Sequence, residues 1–326
     1  MSEHCGIVVV GGGLAGLHAA ARAAQLGHAT VAFTGPAPGG LLLSIESVQG
    51  VPGHPQGVPG YDLGPMAQEA AMDAGARCLA EEATRIERSA DGWRVTGETT
   101  AVLARAVVLA MGSRLRALGV PGEERLSGKG VSHCASCDGP MLRGRAVAVV
   151  GGGDAACQEA LTLAAFAERV HLLVRGGALR ARPAWRERVA QQPRIDVRFG
   201  AVVEEIVGDG VVSAVRLAGG ERLPVDAVFV YAGLVPADAL LRDGAGDLVA
   251  LAADGHVLVD DGLHASAPGA FAAGTLRAGH DGQAALAIAD GVAAAESAHR
   301  FLQSGAWPAA SPGSPSTPTP AERTPA

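Results

Sequence analysis

Cys134-Ala135-Ser136-Cys137-Asp138 is the segment of this 326-residue chain whose residue types most directly imply chemistry. Two thiols three positions apart can close a disulfide, hold a metal or simply pack. Tetrahedral zinc needs four ligands. The remaining cysteines, at 5, 78 and 157, are isolated, and adding His133 gives only three ligands from one short turn. A redox dithiol is therefore the favoured assignment, with metal binding and buried packing thiols as the alternatives. Such a pair needs one sulfur with thiolate character and a proton carrier beside it. Asp138 is assigned as that acid/base, although it could equally be a turn residue ahead of Gly139-Pro140. His133 also flanks the pair and is left open between a proton carrier and an exposed surface residue.

Two glycine turns carry a second kind of chemistry. Gly11, Gly13 and Gly16 form G-x-G-x-x-G between an apolar run and an Ala-rich stretch. The first glycine allows a tight turn, the second lets backbone approach a pyrophosphate, and the third permits close helix–strand packing. The helix N-terminus then supplies the anion site. An ordinary glycine-rich turn is the competing explanation, and the strand–turn–helix context favours a dinucleotide site. Gly151, Gly153 and Ala156 repeat the motif about 140 residues later as G-x-G-x-x-A. An NAD site usually places Asp or Glu about 20 residues on, to hold the ribose 2′-hydroxyl. Here Arg175 ends the next strand, with Arg180 and Arg182 close by. Guanidinium groups suit a 2′-phosphate, so NADPH is favoured over NADH, unless these arginines merely solvate a loop.

These motifs must be positioned by βαβ units, whose right-handed crossovers imply parallel sheets. Strands are expected at Ile7–Val10 and Ala29–Phe33 around a helix over Leu14–Leu26. The second unit repeats this with Ala146–Val150, Asp154–Phe166 and Val170–Val174. Between them, Gly35–Gly60 is loop, Gly64–Gly75 helical, and Trp93–Val95 and Val102–Leu109 are strands, the last running into Ala110-Met111-Gly112. Val202–Val207, Val211–Leu217 and Val225–Tyr231 are further strands. Ala270–Gly274 is a strand into a turn, and Gln283–Leu302 is an Ala-rich helix. Residues 303–326, dominated by Pro, Ser, Thr and Ala, are expected to be a disordered tail.

The composition is 48% hydrophobic and 18% charged, enough for a sizeable core and against wholesale disorder. The net charge of −7 comes without a basic block, and Lys129 is the single lysine, which argues against nucleic-acid or anionic-membrane partners. No run approaches 18 apolar residues, so no membrane span is expected. The opening MSEHCGIVVV lacks the features of a secretory leader. Five sparse cysteines suit a reducing compartment, and a cytoplasmic location is expected.

Two dinucleotide turns with C-x-x-C-D just ahead of the second resemble the low-molecular-weight thioredoxin reductases, a family of flavin-dependent disulfide reductases. The resemblance spans about Gly6 to Leu302. It takes in Gly39-Gly40, Val51-Pro52-Gly53, Cys134–Asp138, Gly151–Ala156, Gly233-x-x-Pro236, Ala272-Ala273-Gly274 and Gln283-Ala284. It implies an α/β protein of two Rossmann-like three-layer domains, the second inserted into the first, and a homodimer. The FAD domain would comprise 1–115 and 247–302, the NAD(P)H domain 116–246. FAD would be held by Gly11, Gly13, Gly16, Gly40, Gly112, Gly274, Thr275, Gln283 and Ala284. NADPH, or NADH, would be held by Gly151, Gly153, Ala156, Arg175 and Arg180. Cys137 would lie against the flavin and take its electrons, Cys134 would attack the substrate disulfide, and Asp138 would protonate the leaving thiolate. The family's domain rotation would need hinges near Leu115–Val120 and Gly244–Gly246. The implied substrate is thioredoxin, a similar small redox protein or a small-molecule disulfide.

The departures mark a divergent paralogue. The family's Gly-Asp is Gly274-Thr275 here, which exchanges a charged acceptor toward the ribityl chain for a neutral hydroxyl, and charge-assisted bonds are roughly twice as strong. Arg-Gln-Ala has become Gly282-Gln283-Ala284, Gly-Gly-Gln-Leu has become Gly39-Gly40-Leu41-Leu42, and His-Arg-Arg has become Val174-Arg175-Gly176. Three alternatives remain: a dithiol oxidase using oxygen, a ferredoxin-linked reductase and a non-enzymatic flavin/dithiol redox sensor.

Overall fold

The computed structural model describes residues 3–243 and 246–308. In chain order it begins with β1 (Glu3–Val10), α1 (Leu14–Gln25), β2 (Thr30–Phe33), α2 (Gly60–Asp73), β3 (Arg77–Leu79), β4 (Arg85–Ser89), β5 (Gly92–Thr96) and β6 (Ala101–Leu109). Next come β7 (Ser113–Leu115), β8 (Val131–Ser132), α3 (Ala135–Asp138), β9 (Ala146–Val150), α4 (Asp154–Ala164), β10 (Arg169–Val174), α5 (Pro183–Ala190) and β11 (Ile195–Phe199). The remainder is β12 (Val203–Asp209), β13 (Val211–Leu217), β14 (Arg222–Pro224), β15 (Ala227–Val230), β16 (Leu234–Pro236), β17 (Arg242–Asp243), β18 (Gly246–Asp247), β19 (Ala270–Ala272) and α6 (Ala284–Ser304). The described residues fold as two compact units, one of 3–43, 47–113, 236–243 and 246–308, the other of 44–46 and 114–235.

The first unit is built on a sheet ordered β3-β2-β1-β6-β5-β4. β6 changes partners along its length, pairing antiparallel with β5 over Ala101–Ala104 and parallel with β19 over Val107–Leu109. Alternation sorts each strand into two cores. Val8, Val10, Val107 and Leu109 face one side with Leu241, Val249, Val257 and Leu276. Ile7, Val9, Ala106 and Val108 face the other, beneath the alanines of α1 and α6. Each fully buried Val, Leu or Ile contributes about 1.5–3 kcal/mol, so the β-branched runs hold three layers together.

The second unit follows the same logic on the all-parallel order β11-β10-β9-β15-β8. Val147 and Val149 face α4 and α5, while Ala148 and Val150 face the antiparallel sheet of β12, β13 and β14. The chain enters this unit after Ser113 and leaves it after Val235, ahead of the expected return at 246/247. Both passages lie in the paired short strands β7 and β16, so hydrogen bonding and not a glycine linker marks the return. Of the expected hinge at Gly244–Gly246, residues 244 and 245 lie outside the described residues.

The expected tail starts too early. α6 continues to Ser304, and Trp307 stacks edge-on against Phe271, Phe301 and His264 at centroid distances of 5.3, 5.2 and 5.0 Å. Residues 309–326 lie outside the described residues. Among the described residues no helix is long and apolar enough to cross a membrane. Trp307→Ala should lower the unfolding free energy by about 1–3 kcal/mol in urea titrations; an unchanged midpoint would show that the ring does not anchor this end.

Candidate active site

Parallel register brings the first unit's turns to one edge. Val10 is level with Phe33 and Leu109, and Leu109 with Ala272, so Gly11, Gly112 and Gly274 all follow strand ends at one level. Ligands of open α/β sheets bind outside such carboxyl ends. Gly39 N–H donates to Gly12 O at 2.8 Å, which draws Gly39-Gly40 onto the same turn. Gln283 caps α6 and Ala284 is its first residue, with the Gln283 N–H held by Asp281 at 3.0 Å. Thr275 O accepts from Ser113 Oγ at 2.9 Å, and a Cβ on Gly112 would sit 3.5 Å from Thr275 Oγ1.

The glycines separate into those the protein requires and those it does not. A Cβ on Gly16 would stand 1.9 Å from Gly11 O, so this glycine lets α1 press onto the turn. Gly13 has an ordinary φ of −81°, and a Cβ there meets nothing within 4 Å. Nothing inside the chain demands glycine at 13, whereas a pyrophosphate approaching the uncapped start of α1 does. The second turn repeats this. A Cβ on Gly151 would stand 2.4 Å from Tyr231 O, while Gly153, with φ −95° at the uncapped start of α4, again meets nothing. Both turns thus have the open backbone at a helix start that the diphosphate of a dinucleotide requires.

Arg175 and Arg180 are exposed and pair with no carboxylate among the described residues, leaving both guanidinium groups available to a 2′-phosphate. Arg180 N–H donates to Gly152 O at 2.7 Å, pinning its loop to the turn. Arg182 is committed differently: Asp154 accepts from its N–H at 2.7 Å and from Nε at 2.5 Å.

Cys134 and Cys137 are joined by a disulfide, with Cα atoms 5.3 Å apart, on the short helix α3. Cys134 stands at its N-cap, and the Cys137 N–H donates to its sulfur at 3.3 Å. Cys134 N–H is itself held by Ser132 Oγ at 3.1 Å. Asp138 N–H closes the turn onto Cys134 O at 3.2 Å, placing its half-buried carboxyl one residue from Cys137. His133 is exposed and its Nδ1 lies 3.0 Å from Val230 O, so Nδ1–H donates to that carbonyl and the ring is anchored to the backbone.

Three groups escaped the sequence reasoning. Asp290, buried in α6, accepts from Gly274 N–H at 3.0 Å and from Arg277 Nε at 2.5 Å, which fixes the turn carrying Thr275. Its signal was an acidic residue in the otherwise apolar first half of an Ala-rich helix. His280 has a side chain only 1% exposed; Nδ1 accepts from Gly282 N–H at 2.9 Å, and burial lowers its pKa. Glu159 is buried on α4, and burial raises its pKa to about 7.

The profile of the pyridine nucleotide-disulphide oxidoreductase family matches residues 6–298. Over 301 residues the chain is 37% identical to thioredoxin reductase of Treponema pallidum, covering 91% of this chain and 96% of that protein. Among solved structures, Lactococcus lactis thioredoxin reductase in its FR conformation is similar with a TM-score of 0.86. The identity is 29%, over 92% of this chain and 99% of that one. The T. acidophilum thioredoxin reductase structure gives the same score and identity over 93% and 100%. The chain belongs to the pyridine nucleotide-disulphide oxidoreductase family and is an enzyme of that kind.

Gly13→Ala should fold with unchanged thermal stability yet bind FAD at least about tenfold more weakly, about 1.4 kcal/mol. Gly16→Ala should cost about 1–3 kcal/mol of stability through overpacking. Flavin absorbance per protein and thermal midpoints of both variants check the distinction; equal flavin loss with equal destabilisation would refute it.

Proposed function

We propose that this chain is an FAD-dependent reductase that passes electrons from NADPH through flavin and Cys134–Cys137 to the disulfide of thioredoxin or a similar small redox protein. We further propose that it works in the cytoplasm as a homodimer, with 114–235 in the NADPH domain and 3–43, 47–113, 236–243 and 246–302 in the FAD domain. The observation that carries this is the Cys134–Cys137 disulfide in the same unit as an intact Gly151–Ala156 turn with Gly153 open and two free arginines. That combination favours NADPH-driven reduction over a ferredoxin-linked enzyme, an oxygen-using dithiol oxidase or a non-enzymatic sensor.

FAD, when bound, takes a hydride from the nicotinamide and returns the electron pair to a disulfide. The protein's own groups do the rest. Gly11, Gly13 and Gly16 admit the diphosphate to the start of α1, and Gly40, Gly112, Gly274, Thr275, Gln283 and Ala284 hold the remainder of FAD. Gly151, Gly153, Ala156, Arg175 and Arg180 hold NADPH. With the pair reduced, the Cys134 thiolate attacks one substrate sulfur, forming a mixed disulfide and expelling the other as thiolate, which Asp138 protonates. Cys137 then attacks Cys134, the mixed disulfide breaks, and the second substrate thiol leaves as Cys134–Cys137 re-forms. The support for these roles is the N–H donated to the Cys134 sulfur and the position of Asp138 at the end of the same turn.

In an anaerobic titration NADPH alone should bleach the flavin rapidly. Bleaching by a dithiol but not by NADPH would overturn the proposed direction. Cys134→Ser should reduce disulfide turnover to background while leaving NADPH bleaching intact; retained turnover would refute the division of roles between the cysteines.

A further inference from the structure

α4 buries Glu159, 3% exposed, on the face that carries Ala156, Ala160 and Leu163. These residues share one apolar cluster with Tyr231 and with Ala135, the residue after Cys134. Among the described residues Glu159 Oε2 and the Tyr231 hydroxyl are buried and make no well-formed hydrogen bond, although the hydroxyl lies near enough to act on the carboxyl. Burial raises the carboxyl's pKa to about 7, while the neighbouring Ala135 N–H and Tyr231 hydroxyl act in the opposite sense. Tyr231 also feels the negative charges of Glu159 and Asp138. The titratable groups facing Glu159 are thus Tyr231, Glu46 and, through Tyr231, Asp138 of α3. On α4 itself Asp154 is paired with Arg182 and bears on Cys157. β9, β10 and α5 bring apolar residues to the same cluster, among them Val149, Leu172 and Trp185. No cation pairs with Glu159 among the described residues.

A carboxylate buried without a cation costs several kcal/mol, a cost that leucine or methionine would avoid. Ala135, whose N–H neighbours the Glu159 carboxyl, directly follows Cys134, and the cysteine pair changes charge in the proposed cycle. We propose that Glu159 is a positioning residue coupled to the dithiol, binding a proton when Cys134–Cys137 is reduced and releasing it when the disulfide re-forms. This rests on the proposed role of the pair as the redox centre. Reduction breaks the S–S bond with two electrons and one proton, leaving a thiol and a thiolate. The ionised carboxyl and the thiolate repel each other, so Glu159 takes up a further proton and the negative charge stays on sulfur. Re-oxidation of the pair returns both electrons to the acceptor disulfide and frees both protons. The carboxyl thereby also holds back thiolate formation whenever it is itself ionised.

The test equilibrates the holoenzyme with oxidised and reduced dithiothreitol across pH and reads the cysteine pair by acid quench and thiol alkylation. Below the Glu159 pKa, wild type and Glu159→Gln should show the same dependence of midpoint potential on pH. Above pH 7 the wild-type potential should fall more steeply, and Glu159→Gln should lose the extra slope. The variant's thiol should also react with iodoacetamide several-fold faster at pH 7, because no ionised carboxyl opposes the thiolate. Tyr231→Phe keeps the packing but removes a hydroxyl that lowers the Glu159 pKa, so its change of slope should move to higher pH. It serves as the test if the glutamine variant does not fold. Identical slopes in all three proteins would overturn the coupling while leaving the redox pair intact. A pair that dithiothreitol does not reduce at any pH would overturn both.

Discussion

Close backbone approach is the constraint on which the first unit depends. Hypothetical Cβ atoms on Gly12, Gly16 and Gly291 would stand 2.1 Å from Thr34 O, 1.9 Å from Gly11 O and 2.2 Å from Ala15 O. Three backbone surfaces therefore meet where side chains cannot fit, and α1 is pressed between the sheet and α6. That compression puts the first N–H groups of α1 at the level of the strand ends. The second unit reaches the same end with Ala156, whose methyl lies 2.9 Å from a hypothetical Cβ on Gly151. In both, the second motif glycine is the one left over, spare to the fold and meaningful only toward a ligand.

Charge is distributed around the two turns in different ways. In the first unit Asp290 is spent internally, fixing Gly274 and Arg277, and Thr275 on the same turn is neutral. A buried ion pair of this kind holds geometry more than it adds stability. In the second unit Asp154 takes Arg182, while Arg175 and Arg180 pair with no carboxylate among the described residues. A carboxylate at the first turn of α4 is favourable with the helix dipole, and its ion pair with Arg182 neutralises it near the place where a diphosphate would approach.

Much of the fold was legible because buried parallel strands read as unbroken β-branched runs and glycine turns punctuate them. Ala146–Val150 and Val211–Leu217 coincide with β9 and β13, and most of the other expected strands differ by a residue or two. What was missed has a common cause. β4, Arg-Ile-Glu-Arg-Ser, buries only Ile86, and α5 buries only Trp185 and Val189 among its charged residues, so the apolar signal of each is weak. The return passage was placed at a glycine-rich segment that resembles a linker, whereas β16 is a short Leu-Val-Pro strand whose partner is distant in sequence. At the site, cysteines and glycines announce themselves by spacing. Glu159 does not, because a glutamate in the first half of a helix is ordinarily a solvated residue.

β6 divides its pairing between β5, which precedes it, and β19, which follows more than 150 residues later. The helix that covers α1 also comes last, since α6 is the final helix of the described chain. As the polypeptide leaves the ribosome, the first unit thus waits with one edge of β6 unpaired over Val107–Leu109 and an alanine-rich helix uncovered. Residues 114–235 are contiguous apart from the short 44–46 segment and need no later residue to complete their sheet. The unit begun first is finished last, and its half-built edge is the part of the nascent chain most open to wrong pairing.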